Sequence, residues 1–388
     1  MMIKRNILDK INEYSNIFPV IAIIGPRQVG KTTFVKYYAG IIDKESVYLD
    51  LEKPSDFDKL ENAEFYLSQH KGKCIIIDEV QNKPDLFPLI RSIVDENNEK
   101  CNFIILGSAS PELLKQSSET LAGRIGYIEL GPFSAIELKD NYNFQKHFFG
   151  GGFPLSYLSP NEKSSKIWLN NFIKTYLEKD LPLLGLKAKP QFVRRLWEML
   201  TWQTGSLLNY NAIAKSLSVS NHTIYSYIDF LEGAFMLTLL KPYFYNIKKR
   251  IIKSPKIYIN DTGILHRLLR LNDYDQLLGN PLLGNSWETF VVNQINLEKN
   301  EDIDLFFYRT HAGAEVDLVF VKGMKPIATA EIKFSLSPKI SKGLINSIET
   351  LNSNNNFIII PQGSEYKIRE NIKVCAFNVF IEKYLNAL

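Results

Sequence analysis

Apolar positions along this chain follow two periodicities, and the switches between them lay out the fold. Unbroken apolar runs at 20–24, 74–77 and 103–106 read as strands buried on both faces. Further runs at 47–51 and 126–130 complete a set of candidate strands, separated by segments at helical spacing such as 33–39 and 84–97, the latter entered through Pro84. Such alternation predicts a parallel sheet with helices on both faces. Beyond residue 160 the pattern turns helical: Ile167, Trp168, Phe172, Ile173, Tyr176 and Leu177 share one face of a helix. After an apolar stretch at 196–200 come a short helix at 211–217, a break at Ser218-Val219-Ser220, and a second helix opening on Asn221-His222-Thr223. That order reads as helix-turn-helix. The apolar run 234–240 and the basic segment Lys248-Lys249-Arg250-Ile251-Ile252-Lys253 would form a hairpin wing behind it. The last third predicts a helix at 287–299, strands at 304–309, 315–321 and 327–334, a helix at 338–351 and a strand at 357–360. The expected organisation is α/β in three parts: 1–160, 161–270 and 271–388.

Length and composition support this division. A chain of 388 residues exceeds one typical core, and 45% hydrophobic with 23% charged residues is ordinary for a globular protein. No apolar run has the length to span a bilayer, and the opening Met1-Met2-Ile3-Lys4-Arg5-Asn6 leads into an amphipathic stretch rather than a signal-peptide core. Cys74, Cys101 and Cys375 lack disulfide or metal spacing, and the five His residues lack ligand spacing. The expected location is cytoplasmic, with no membrane partner. Charge is uneven. Residues 161–270 carry 17 Lys and Arg against 7 Asp and Glu, whereas both flanking parts are net acidic. A basic middle suits either a nucleic-acid face or a solvated surface.

The run at 20–24 ends in Gly25-Pro26-Arg27-Gln28-Val29-Gly30-Lys31-Thr32, followed by Thr33 at the start of a helical segment. Strand, glycine-bounded loop, Lys-Thr and helix together make the P-loop pattern. Gly25 and Gly30 permit the turn that points consecutive N–H groups at phosphates, and the helix adds the positive end of its dipole. Lys31 is placed to reach the β- and γ-phosphates and Thr32 to hold Mg²⁺. Downstream, the run Cys74-Ile75-Ile76-Ile77 delivers Asp78 and Glu79, one for the metal and the other to polarise the attacking water. Ser108, at the exit of 103–106, fits either a γ-phosphate contact or a helix cap. Arg124 fits either a charge-stabilising finger on a neighbouring subunit or a structural salt bridge.

Taken in this order, Gly25 to Thr32, Asp78-Glu79, Ser108 and Arg124 resemble an ATPase of the AAA class. The tags Asp78-Glu79-Val80-Gln81, Leu121-Ala122-Gly123-Arg124, Pro132-Phe133-Ser134 and Gly151-Gly152-Phe153-Pro154 resemble a bacterial and archaeal subgroup of predicted ATPases with a conjoined C-terminal domain. The resemblance implies ATP and Mg²⁺ as cofactors, ATP hydrolysis and a homo-oligomer; it supplies no substrate. The helix-turn-helix and wing also resemble the winged-helix module such proteins carry. In that reading Asn221, His222 and Tyr225 face a groove of duplex DNA and residues 248–253 its phosphates; a protein-docking module is the alternative. In the last part, Asp317 on one strand and Glu331 with Lys333 on the next resemble the PD-(D/E)xK pattern of the restriction-endonuclease-like fold, with Val316 where that pattern carries proline. Residues two apart on a strand share a face. One carboxylate from each strand, with Glu288 from the preceding helix, could therefore hold Mg²⁺ while Lys333 orients a water. The alternative is a silent core kept for binding or assembly, making the protein a nucleotide-controlled switch. Asn260-Asp261-Thr262-Gly263 reads as a structural helix cap.

Overall fold

The computed structural model describes residues 3–97, 99–107, 120–244 and 252–388. Its contacts divide the chain into two compact units: residues 1–133 with 175–187 and 233–235, and residues 134–174 with 188–232 and 236–388.

In the first unit the alternating pattern becomes a five-stranded parallel sheet, ordered β2-β3-β4-β1-β5. Its strands are β1 (Val20–Ile24), β2 (Ser46–Asp50), β3 (Cys74–Asp78), β4 (Phe103–Leu106) and β5 (Ile125–Glu129). Alternation along each strand explains the burial of both faces. Val20, Ala22, Ile75, Ile77, Phe103 and Ile105 pack with Leu86, Phe87, Ile90 and Val94 of the helix Leu86–Asn97, while Ile21, Ile23, Ile76 and Ile104 are buried behind them. Each such side chain contributes roughly 1.5–3 kcal/mol by leaving water. Because every strand runs the same way, all five C-terminal ends share one edge, and β1 reaches it between β4 and β5. Ligand sites of open parallel sheets lie at that edge.

The second unit holds two sheets. The larger is ordered β13-β14-β12-β11-β10-β9, from β9 (Asp304–Arg309), β10 (Glu315–Lys322), β11 (Lys325–Ile332), β12 (Asn355–Ile360), β13 (Tyr366–Arg369) and β14 (Ile372–Ala376). β11, β12 and β14 are parallel; the other pairs are antiparallel. The helix Leu283–Glu298 packs Trp287, Phe290, Val291 and Ile295 with Leu318, Phe320, Ala330 and Ile359. The helix Lys342–Leu351 covers the opposite face through Leu344, Ile348 and Leu351. The smaller antiparallel sheet is ordered β6-β8-β7, from β6 (Ser206–Leu207), β7 (Leu237–Leu240) and β8 (Lys256–Ile259). It accompanies the helices Pro190–Thr201, Tyr210–Leu217 and Asn221–Gly233.

Several expectations shift in register. The strand expected at 327–334 begins at Lys325, because Gly323 and Met324 both take positive φ in a two-residue hairpin turn between Lys322 and Lys325. Lys333 therefore falls just past the strand end. β7 pairs antiparallel with β8 and not with the expected basic run, of which residues 248–251 lie outside the described residues. The segment leaving β7 is anchored elsewhere: the Tyr243 N–H donates to the Phe307 carbonyl at 2.7 Å, the Phe307 N–H to that of Lys241, and the Ile252 N–H to that of Arg309. Strands β13 and β14 were not expected at all. Among the described residues no helix is long and apolar enough to cross a membrane.

Two motifs far apart in sequence meet in this unit. Asp261 caps the helix Thr262–Leu268 through Ile264 N–H and also accepts from Gly152 N–H at 2.8 Å. A Cβ on Gly151 would meet the Asp261 carboxylate at 2.2 Å, and one on Gly263 the Gly150 carbonyl at the same distance. Gly151 thus leaves room for the Asp261 carboxylate, and Gly263 lets its backbone touch that of Gly150.

Candidate functional site

The phosphate loop leaves β1 at Gly25, whose φ of +145° and close approach to the Leu130 carbonyl admit no side chain. Gln28 and Gly30 also take positive φ, and the helix Lys31–Ala39 starts directly after Gly30. The loop is thus a tight turn feeding a helix N-terminus, the arrangement that presents backbone N–H groups to an anion. Lys31 is buried and donates to the carbonyls of Gly25 at 2.9 Å and Pro26 at 2.8 Å. Burial lowers its pKa to about 8, although Glu79 and Asp78 pull the other way. The Thr32 hydroxyl donates to Asp78 Oδ2 at 2.7 Å. Thr33 is exposed on the first helical turn, as is Gln28 in the loop.

Asp78 ends β3, and Glu79 follows with φ +54° and ψ +47°, a left-handed conformation uncommon for a residue bearing Cβ. Gln81 donates to its Oε2, and burial raises the Glu79 carboxyl above the usual range. The structure thus brings together Lys31, Thr32, Asp78 and Glu79, the set expected from sequence. Ser108 lies outside the described residues. Arg124 is not brought to the loop of its own chain: it forms a forked pair with Asp95, Nη2 to Oδ2 at 3.0 Å, on an exposed surface.

Three residues at this edge escaped the sequence reading. Tyr48, on β2, donates its phenol to Asp78 Oδ2 at 2.6 Å, so that oxygen receives both hydroxyls. Arg5 braces the loop from behind, donating to the carbonyls of Val29 at 2.8 Å and Gly131 at 2.6 Å while its guanidinium lies over Phe133. Asp180 pairs with Arg27 Nη1 at 2.5 Å, tying the loop to the 175–187 segment of the same unit. Arg5 lies 24 and 126 residues from its two carbonyl partners and Asp180 lies 153 from Arg27, and no local pattern announces such pairs. Tyr48 had a usable signal, being the polar-tipped residue of a strand that neighbours β3.

The C-terminal carboxylates also gather, but around an unexpected residue. Lys256, from β8, places Nζ 2.9 Å from Glu288 Oε1, 3.0 Å from Asp317 Oδ1 and 3.4 Å from Glu315 Oε1. Tyr258, two residues on and so on the same strand face, donates to Glu288 Oε1 at 2.6 Å. Asp317 Oδ2 accepts the Ile332 N–H at 3.0 Å. Burial works to raise the Asp317 carboxyl, but Lys256 and Lys333 outweigh it and hold it below the usual range. Glu331 pairs with Lys333 at 2.7 Å, and burial beside Asp317 pushes its carboxyl up to about 8. The β9–β10 register shifts between Val316 and Val319, so Asp317 sits at a bulge, a device that re-aims side chains.

In the middle segment, Asn221 and His222 are exposed at the start of Asn221–Gly233, and Tyr225 stacks on Tyr210 with centroids 3.8 Å apart.

Residues 18–139, which contain the phosphate loop, Asp78 and Glu79, match the AAA domain family. This segment is an AAA-type P-loop domain. Residues 141–275 and 283–380 match two domains of unknown function, DUF8612 and DUF4143 respectively. Uncharacterized proteins of Mycobacterium tuberculosis and Mycobacterium bovis are each 37% identical over 356 residues, covering 91% of this chain and 79% of theirs. The chain belongs to their family. An uncharacterized Haemophilus influenzae protein is 24% identical over 68% of this chain and 72% of its own. The domain match fits the five-stranded parallel sheet, and the matched residues include the loop, β3 and Arg124.

Proposed function

We propose that this protein is a Mg²⁺-dependent ATP hydrolase whose turnover drives the remainder of the chain. The observation that carries this is the 2.7 Å contact between Thr32 and Asp78 beside the buried Lys31. A hydroxyl and a carboxylate converging there are hard oxygen donors, which suits Mg²⁺. Bound with nucleotide, that ion would neutralise charge on the β- and γ-phosphate oxygens, with Thr32 and Asp78 as its protein-side oxygens. Lys31 exchanges two neutral carbonyls for phosphate oxygens. The N–H groups between Gly25 and Thr32 hold the phosphates in place. Glu79, its carboxyl raised above the usual range by burial, takes the proton of the attacking water. Arg27, held by Asp180, offers a route by which loop occupancy is felt in the 175–187 segment.

The basic 161–270 part is read as a winged-helix module on duplex DNA. The helix–strand–helix–helix–strand–strand order and the β6-β8-β7 sheet support this, as does the exposed start of Asn221–Gly233. The 271–388 part is read as a restriction-endonuclease-like core, supported by helix Leu283–Glu298, then β9, β10 and β11, helix Lys342–Leu351 and β12. Lys256 inside the acidic cluster favours the silent version of that core, in which the protein is a nucleotide-controlled switch. A cytoplasmic homo-oligomer completes the reading, with Arg124 acting across subunits.

ATP turnover with and without Mg²⁺, for wild type, Lys31→Ala and Glu79→Gln, tests the hydrolase. Normal turnover by Lys31→Ala would sink it. Duplex DNA affinity that falls steeply with salt supports the DNA reading, since phosphate contacts release counterions; affinity indifferent to salt removes it.

A further inference from the structure

A divalent ion in the C-terminal cluster would need free carboxylate oxygens at roughly 2.0–2.6 Å from its centre. Most of those oxygens already accept hydrogen bonds, and Glu288 and Asp317 share one buried ammonium. Asp317 gives Oδ1 to Lys256 and Oδ2 to a backbone N–H, and Glu288 Oε1 takes both Lys256 and Tyr258. Glu331 Oε1 takes Lys333; its Oε2 is buried with no hydrogen-bond partner among the described residues. Nor do the described residues include a group of three His, Cys, Asp or Glu side chains arranged for a metal.

The lysine is built in rather than draped over the site. Lys256 is 2% exposed, pairs in register with Leu207 on β6 and Leu240 on β7, and lies in the middle strand of its sheet. Strand alternation then fixes Tyr258 on the same carboxylate. The Phe307 ring lies 5.8 Å from Nζ and closes another side. The Lys256 ammonium donates to Glu288 and Asp317 and lies 3.4 Å from Glu315, so the space between these carboxylates already holds a cation.

From this geometry we infer that the acidic pocket is an ammonium site whose resident is the chain's own Lys256, and that Lys256 keeps divalent cations out of the C-terminal core. The pocket joins β8 of the basic segment to the large sheet and supports no metal-activated water. This stands apart from the P-loop reading, because it is tested without nucleotide.

The test is Mn²⁺ binding to the full-length, nucleotide-free chain, followed by electron paramagnetic resonance. Wild type and Asp317→Asn should bind Mn²⁺ alike. Lys256→Ala should gain a Mn²⁺ that is lost again in Lys256→Ala/Asp317→Asn. Mn²⁺ held by wild type and lost in Asp317→Asn overturns the inference; so does a folded Lys256→Ala that gains none. Should Lys256→Ala fail to fold, the comparison of wild type with Asp317→Asn and Glu288→Gln decides alone.

Discussion

Two buried lysines, Lys31 and Lys256, each stand among acidic residues, and their partners set them apart. Lys31 rests on the neutral carbonyls of Gly25 and Pro26, and burial wins, lowering its pKa to about 8. Lys256 rests on Glu288, Glu315 and Asp317; the carboxylates win over burial, and its pKa rises well above the ordinary value. An ammonium held by dipoles has stronger partners to gain when an anion arrives. An ammonium held by carboxylates already has its counterions. The same ingredients thus give a site poised for phosphate in one unit and an internal ion network in the other.

The comparison breaks most visibly in a pair of substitutions. Lys31→Ala should cut ATP turnover by on the order of 10³-fold or more while leaving the melting temperature near wild type. Lys256→Met should do the reverse, destabilising by about 3–5 kcal/mol because buried carboxylates lose their partner. Turnover measured well below the melting point should stay near wild type. Adding Glu288→Gln and Asp317→Asn to Lys256→Met should recover part of the lost stability, since no uncompensated charge then remains. A Lys256→Met protein that melts like wild type would show that the ion network is dispensable.

The unequal legibility of these lysines has a physical cause. The P-loop is local: glycines, lysine and threonine must be adjacent for the turn to feed the helix, so the site is written in one stretch. Asp78 and Glu79 follow because a buried parallel strand is an unbroken apolar run. Lys256 is legible only after the fold. Within Lys256-Ile257-Tyr258-Ile259 it is a lone charge on an apolar strand, and its partners lie 32 and 61 residues away. The reading therefore placed the helix Leu283–Glu298 and strands β9 to β12 but assigned Glu288, Asp317 and Glu331 to a metal. It also stopped at residue 360, because the exposed Tyr366–Arg369 carries no apolar stripe and β14 is recognised by its pairing with β12. Strand boundaries slipped where turn geometry, as at Gly323-Met324, decides the register.

A pH series sharpens the contrast. Lys31 has its folded pKa lowered, so in the folded chain it releases its proton first, near pH 8. The cost of burying its charge therefore eases as pH rises from 8 toward its unfolded value. Phosphate oxygens favour the ammonium, so nucleotide binding above pH 8 must take up a proton. Affinity should be full below 8 and fall by up to about tenfold per unit above it. Calorimetry with ADP in buffers of differing ionisation enthalpy reads that uptake directly. Lys256, raised instead of lowered, stays charged across this range and adds no slope. Proton-independent ADP binding from pH 7 to 9 would mean that Lys31 does not meet the phosphates.

The smallest expected effect concerns Arg124. Its pair with Asp95 is exposed on both sides, and exposed pairs contribute little to stability, so Arg124→Ala should leave the melting temperature nearly unchanged. Turnover separates the two roles the sequence left open. If Arg124 only serves Asp95, Arg124→Ala hydrolyses ATP like wild type. If it acts across a subunit boundary, Arg124→Ala and Lys31→Ala are each defective alone, but mixing them restores part of the activity. In the mixture some sites join an intact phosphate loop to a neighbour's intact arginine. A defect in Arg124→Ala that mixing does not repair would place the arginine's effect within its own chain, and the oligomeric site would lose its motive.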